Sequence, residues 1–196
     1  MGQTLLSGVY HILLYTFTKA KRGENGVQSE WVIVHGHFAA CYTLNSNLPG
    51  GTNVTIECLH RTFLKLRAQG KRFPPNLYLQ LDNTSKDNKS RFVVAYLYML
   101  VCCGCFDEID VFFFEVGHTH CDADQLFSRS SIYLRDKDIW NFDLLCHHLM
   151  NSCAMIEFVE VNGSWTDYKS RADYCQEITN DNIQLNSDIF EHFNKP

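Results

Sequence analysis

Leu77-Tyr78-Leu79-Gln80-Leu81-Asp82-Asn83 and Ile109-Asp110-Val111-Phe112-Phe113-Phe114-Glu115-Val116 are the two stretches that decide the fold. The first follows Phe73-Pro74-Pro75-Asn76, whose prolines enforce an extended approach, and reads as a short strand stopping on an acid and an amide. The second is β-branched and aromatic, as expected of a central strand covered on both faces, and it runs into Gly117-His118-Thr119-His120. Between them, residues 92–101 are nearly all apolar and stop near Gly104, a run too long for a strand and suited to a buried helix.

Working outward, residues 53–69 carry Ile56, Leu59, Phe63 and Leu66 at helical spacing, with Asn53 or Thr55 as cap and Gly70 as stop. Residues 9–18 and 31–44 are aromatic and β-branched, punctuated by Gly23, Gly26 and Gly36, and read as strands or a hairpin system. Residues 122–134 and 139–150 read as helices, 156–161 as a strand, and the remainder as an acidic tail. Strands, helix, strand, helix, strand, helix implies an α/β fold with a mixed sheet and helices on its faces. Three segments are expected: a poorly specified strand region over 1–30, a core over 31–152, and a C-terminal strand and tail over 153–196.

The chain has 196 residues, 45% of them hydrophobic, enough to bury a core. Nine cysteines would suggest a disulfide scaffold in a short secreted chain, but the count is odd. Cys102, Cys103 and Cys105 fall in or next to the apolar run and are expected as reduced thiols in the core. No basic segment precedes an apolar one at the N-terminus and no run is long enough to span a bilayer, so an intracellular protein off the membrane is expected. Net charge is −5, unevenly spread. Residues 61–91 hold eight bases against Asp82 and Asp87, whereas residues 136–196 hold eleven acids against four bases. A nucleic acid would therefore meet the middle of the chain, through Arg61, Lys65, Lys86 and Lys89; solvated helix faces account for the same charges equally well.

Chemistry in such sheets collects at the carboxyl ends of strands. A carboxylate directly after a buried strand, beside another at the start of the next helix, is how two-metal phosphoryl-transfer sites gather negative charge. Asp82 supplies the first acid and Asp124 the second, with Asp122 read as a helix cap. Glu57, read in the first turn of its helix, is expected near that pair, as a third acid or simply as a charge favoured by the helix dipole. Mg2+ or Mn2+ is the cofactor this carboxylate set implies. Gly117-His118-Thr119-His120 also fits a binuclear metallophosphoesterase, although the upstream ligand elements of such an enzyme are missing.

Leu79-Gln80-Leu81-Asp82-Asn83 with Asn88-Lys89, then Gly117-His118-Thr119 with Asp124-Gln125-Leu126-Phe127-Ser128-Arg129, resembles a family of eukaryotic transposon-derived proteins whose domain looks like the RNase H-like core of DDE/D transposases. His35-Gly36 and Thr55-Ile56-Glu57-Cys58-Leu59-His60-Arg61 share the resemblance, which covers about residues 31–136. It implies an RNase H-like sheet, Asp82 as the second acid of a catalytic triad, Asp124 as the third, and His118 as a site residue beside it. It also implies DNA as partner and a nuclear rather than cytoplasmic location, with oligomerisation left open. The first acid of such a site belongs on the first strand, and residues 9–18 contain no Asp or Glu. Either that strand lies upstream or the site has lost a ligand. The expectation is then a transposase- or integrase-like domain that is weakly active or inactive as this chain, with a non-catalytic nucleic-acid-binding domain as the alternative.

Overall fold

The computed structural model describes residues 9–19, 27–44, 51–84, 87–114, 122–162 and 167–168. Its elements run β1 (Val9–Lys19), β2 (Val27–Val34), β3 (Phe38–Leu44), α1 (Thr52–Ala68), β4 (Asn76–Leu81), α2 (Arg91–Cys102), β5 (Glu108–Phe113), α3 (Asp122–Leu134), α4 (Phe142–Ser152) and β6 (Ile156–Asn162). The fold is α/β, a mixed six-stranded sheet in the order β5-β4-β1-β2-β3-β6 with helices on both faces. β1, β2 and β3 form an antiparallel meander, and β4 pairs in parallel with the other edge of β1. β5 adds in parallel to β4, and β6 in parallel to β3. One sheet thus runs through all three segments into which the sequence divides, and residues 9–19 are a central strand of it.

The period-2 alternation of the strands sorts their side chains between two cores. Ile12, Leu14, Val32, Val34, Leu77, Leu79 and Leu81 face α1 and α2 with Ile56, Leu59, Val93 and Leu97. Leu13, Trp31, Ile33, Ala39 and Cys41 face the opposite way and pack with Leu126 and Phe127 of α3 and Leu149 of α4. The Trp31 and Phe127 rings meet edge to face at 5.4 Å.

α1 and α2 both stop on a left-handed glycine. After α1, Gly70 (φ 74°) lets its own N–H reach the Arg67 carbonyl at 2.9 Å and the Lys71 N–H reach the Leu66 carbonyl at 3.0 Å. After α2, Gly104 (φ 67°) allows the same pair of bonds from Gly104 to Val101 and from Cys105 to Leu100. This double bond closes a helix only where the residue after the cap can take a positive φ without a Cβ clash.

The structure differs from the sequence reading in three places. β5 is an edge strand, not a central one: α2 covers the Ile109, Val111 and Phe113 side, while Phe112 on the other side is 51% exposed. Cys102 and Cys103 are exposed and Cys105 half-buried, because the apolar run outlasts the buried stripe of α2 and ends in the turn around Gly104. The N-cap of α1 is Gly51 without a side-chain cap bond, so Asn53 and Thr55 lie inside the helix.

The carboxyl end of β4 is bolted to the start of α1 by Asn88, 1% exposed. Its side-chain amide donates to the Asp82 carbonyl at 2.9 Å and its side-chain oxygen accepts from the Thr55 hydroxyl at 2.9 Å. Asn88→Ala would leave the buried Thr55 hydroxyl and the half-buried Asp82 carbonyl each with a bond unmade, the first at about 1–3 kcal/mol, so a fall of about 2 kcal/mol in denaturant-measured stability is expected. Leu79→Ala, in the centre of the helix-covered face, should cost about 2–5 kcal/mol. Phe112→Ala on the uncovered face should cost about 1 kcal/mol or less, and equal costs for the two would refute the one-sided cover of β4 and β5.

Candidate functional site

Asp82 is the first residue past β4. Its backbone N–H donates to the Leu14 carbonyl at 3.1 Å, so it is placed by the pairing of β4 with β1. At the neighbouring strand end the Phe114 N–H donates to the Leu81 carbonyl, which aligns the ends of β4 and β5. The Asp82 side chain is half-buried. Burial raises its carboxyl above the usual carboxylate range, a bond from the Asn83 backbone pulls it down, and the Asp87 charge pushes it up again. Asp87 lies against the start of α1, where a Cβ built on Gly51 would stand 3.5 Å from its Oδ1. Asp82 and Asp87 therefore feel each other across the loop that Asn88 ties down, an arrangement that disfavours two full negative charges.

Asp124 lies near the start of α3, half-buried, on the helix that covers the Leu13 and Trp31 face of the sheet. His118, His120 and Lys86 lie outside the described residues. Glu57 is the sixth residue of α1, in its second turn rather than its first, because the helix starts at Thr52. It is buried, and the Arg61 Nε donates to its Oε1 at 2.6 Å. No three His, Cys, Asp or Glu side chains converge as metal ligands among the described residues, so Glu57, Asp82 and Asp124 do not form the expected three-acid cluster. Of the three acids, Asp82 is the one that stands at the carboxyl end of β4.

The basic residues are placed less freely than their sequence suggests. Arg61 is bonded to Glu57, and the Lys65 Nζ stands 3.9 Å from the Glu157 carboxylate of β6, which also accepts from Gln69 at 2.6 Å. The Lys89 ammonium sits 5.0 Å from the centre of the Phe113 ring. Of the cations expected to meet DNA, Arg61 is thus held by a buried acid of this chain and Lys65 stands near an exposed one.

Sequence reasoning missed Glu30, which is 4% exposed in the middle of β2, in register with Thr16 of β1 and Tyr42 of β3. It shares the parity of Val32 and Val34, so it lies on the side covered by α1. Burial pushes the Cys58 thiol well up, the Glu30 and Glu57 charges add to that, and Arg61 opposes it, which gathers the three charged groups around Cys58. Beside them the Tyr42 and Thr62 hydroxyls are bonded at 2.8 Å, and the Thr62 hydroxyl donates to the Cys58 carbonyl at 2.7 Å. The signal was legible: an acid at a core-facing position of an apolar strand has to be accommodated by a buried partner or by function.

A search of curated proteins finds no match to the chain. Residues 27–190, from the first residue of β2 to beyond β6, match the domain of unknown function DUF7869, and the chain belongs to that family.

Proposed function

We propose that this is a transposase- or integrase-like nucleic-acid domain of RNase H-like descent that holds DNA and has lost the power to cut it. The observation that supports the reading best is the sheet, a three-strand meander with β4 and β5 wound in parallel onto its first strand. Asp82 then stands at the end of the strand beside β1, where the second acid of such a site belongs. In this reading Asp82 and Asp124 would hold Mg2+ or Mn2+, whose chemistry is to activate water or a 3′-hydroxyl and to stabilise the leaving oxygen.

The missing piece is an acid on β1, which has neither Asp nor Glu over Val9–Lys19. Two-metal displacement relies on a carboxylate shared between the ions, so its loss removes far more rate than the loss of a peripheral contact. Glu30 is the acid nearest β1 in register, one strand away, but it is buried in the charge cluster with Arg61 and Glu57. DNA binding without hydrolysis is the activity left to such a domain, and a nuclear location belongs to the same reading. No helix among the described residues is long and apolar enough to cross a membrane.

The purified chain should give no cleavage of duplex or single-stranded DNA with Mg2+ or Mn2+, and should bind duplex DNA weakly, with affinity falling steeply from 50 to 200 mM salt. Metal-dependent cleavage abolished by Asp82→Asn would refute the loss of activity; absence of any salt-sensitive binding would refute the nucleic-acid reading itself.

Asp82 supplies a second expectation, through its raised carboxyl. The native chain holds that proton more tightly than the unfolded chain, so stability falls as pH rises from the unfolded carboxyl value through the native one. Asp82→Asn should therefore raise the melting temperature at neutral pH. The gain should vanish below the ordinary carboxylate value, where both states of the wild type are protonated.

A further inference from the structure

Four other cations of the 61–91 region were not singled out by the sequence: Arg91, which stacks 4.8 Å from the centre of the Phe92 ring at the start of α2, and Arg67, Lys71 and Arg72, all exposed. The last three follow one another around the left-handed turn that closes α1, at the end of the molecule away from Asp82. The Arg67 guanidinium rests 5.9 Å from the centre of the Phe73 ring. The Tyr10 hydroxyl donates to the Arg72 carbonyl at 3.3 Å, and the Tyr10 ring meets the His37 ring edge to face at 5.2 Å. The Lys71 charge is felt at His37, which closes the circle from α1 through the segment leading into β4 to the turn between β2 and β3. Unlike Arg61 and Lys65, none of the three meets a carboxylate among the described residues. The helix dipole alone would favour Arg67 in the last turn, but Lys71 and Arg72 lie beyond Gly70, where that field does not account for them. Asp107 and Glu108, whose N–H groups bond to the Pro75 carbonyl, carry negative charge on the β5 side and confine the positive surface to the side of α1 and β1.

We propose that Arg67, Lys71 and Arg72, with His37 beside them, form the surface on which this domain holds the phosphate backbone of a nucleic acid. The inference rests on the nucleic-acid reading given above and moves the contact from the face of α1 to its C-terminal turn. Two arginines and a lysine on an exposed turn suit charge-based contact with successive phosphates, a kind of contact that carries no sequence preference. A backbone held there leaves the Asp82 end of the sheet uncovered, which is consistent with binding that has become separate from cutting.

The test is the anisotropy of a labelled random-sequence DNA duplex titrated with the intact chain between 50 and 200 mM salt. The wild type is compared with R67Q/K71Q/R72Q, with K71Q/R72Q, and with K86Q/K89Q. The triple variant should bind at least about tenfold more weakly, with a log–log salt slope shallower by about 2–3, roughly one for each phosphate contact removed. K71Q/R72Q leaves the Arg67–Phe73 contact intact, so it should show about two-thirds of that change in slope with unaltered thermal stability. K86Q/K89Q should change the affinity and the salt slope less than K71Q/R72Q does. If the wild type binds and only K86Q/K89Q weakens it, this inference fails while the nucleic-acid reading stands. If the wild type shows no salt-sensitive binding, that reading fails first. Equal affinity for a polyglutamate of matched charge would also overturn the proposal, since the surface would then read negative charge and not a phosphate backbone.

Discussion

The parallel pairing of β4 with β1 is the contact on which the rest of this structure depends. β1 has antiparallel β2 on one side and parallel β4 on the other, which makes it the hinge between the meander and the wound half of the sheet. A parallel partner needs a crossover, and α1 is that crossover, so the pairing fixes where the longest helix lies and which of its faces is buried. The same pairing ends at Leu14 and Leu81, and that end places Asp82.

A second constraint is electrostatic. Burying Glu30 and Glu57 under α1 is costly unless a cation follows them in, and Arg61 is the cation available on the helix. Satisfying that demand turns the partly exposed Arg61 onto Glu57, while Lys65 stands 3.9 Å from Glu157 of β6. A helix face that is basic in sequence is thereby much less basic in space, and the positive charge left exposed gathers where α1 ends.

Most of the fold was legible because it is written in local patterns. The strand over 9–18, the helix stopped by Gly70, the helix stopped near Gly104 and the strand over 77–81 follow from periodicity and from glycine at positions needing positive φ. What was not legible depends on neighbours far along the chain. Strand order is one such property: nothing within residues 109–116 says whether the strand has one partner or two, although Glu108 and Asp110 alternating with apolar residues hinted at a face open to water. The candidate site divides in the same way. Asp82 at a strand end is a local fact, but whether Glu57 turns toward it or toward Arg61 depends on a buried acid in β2, and that belongs to the packing of α1 on the sheet. The Asn88 bridge to Thr55 was equally hidden, since 33 residues separate its two ends.

The exposed side of β5 has a consequence for the protein's company rather than for its own stability. An edge strand presents a row of unpaired backbone groups, and one that also shows Phe112 and leans on Tyr78 of the next strand, their rings 6.2 Å apart, offers a template on which another extended chain could grow. Glu108 and Asp110 stand on the same side of that strand as Phe112. Their charges would repel a copy that offered the same acidic edge, while leaving the pairing with β4 untouched. Among the described residues β5 has β4 as its one strand partner, and like-charge repulsion of this kind acts between molecules and adds nothing to the folding of any one of them.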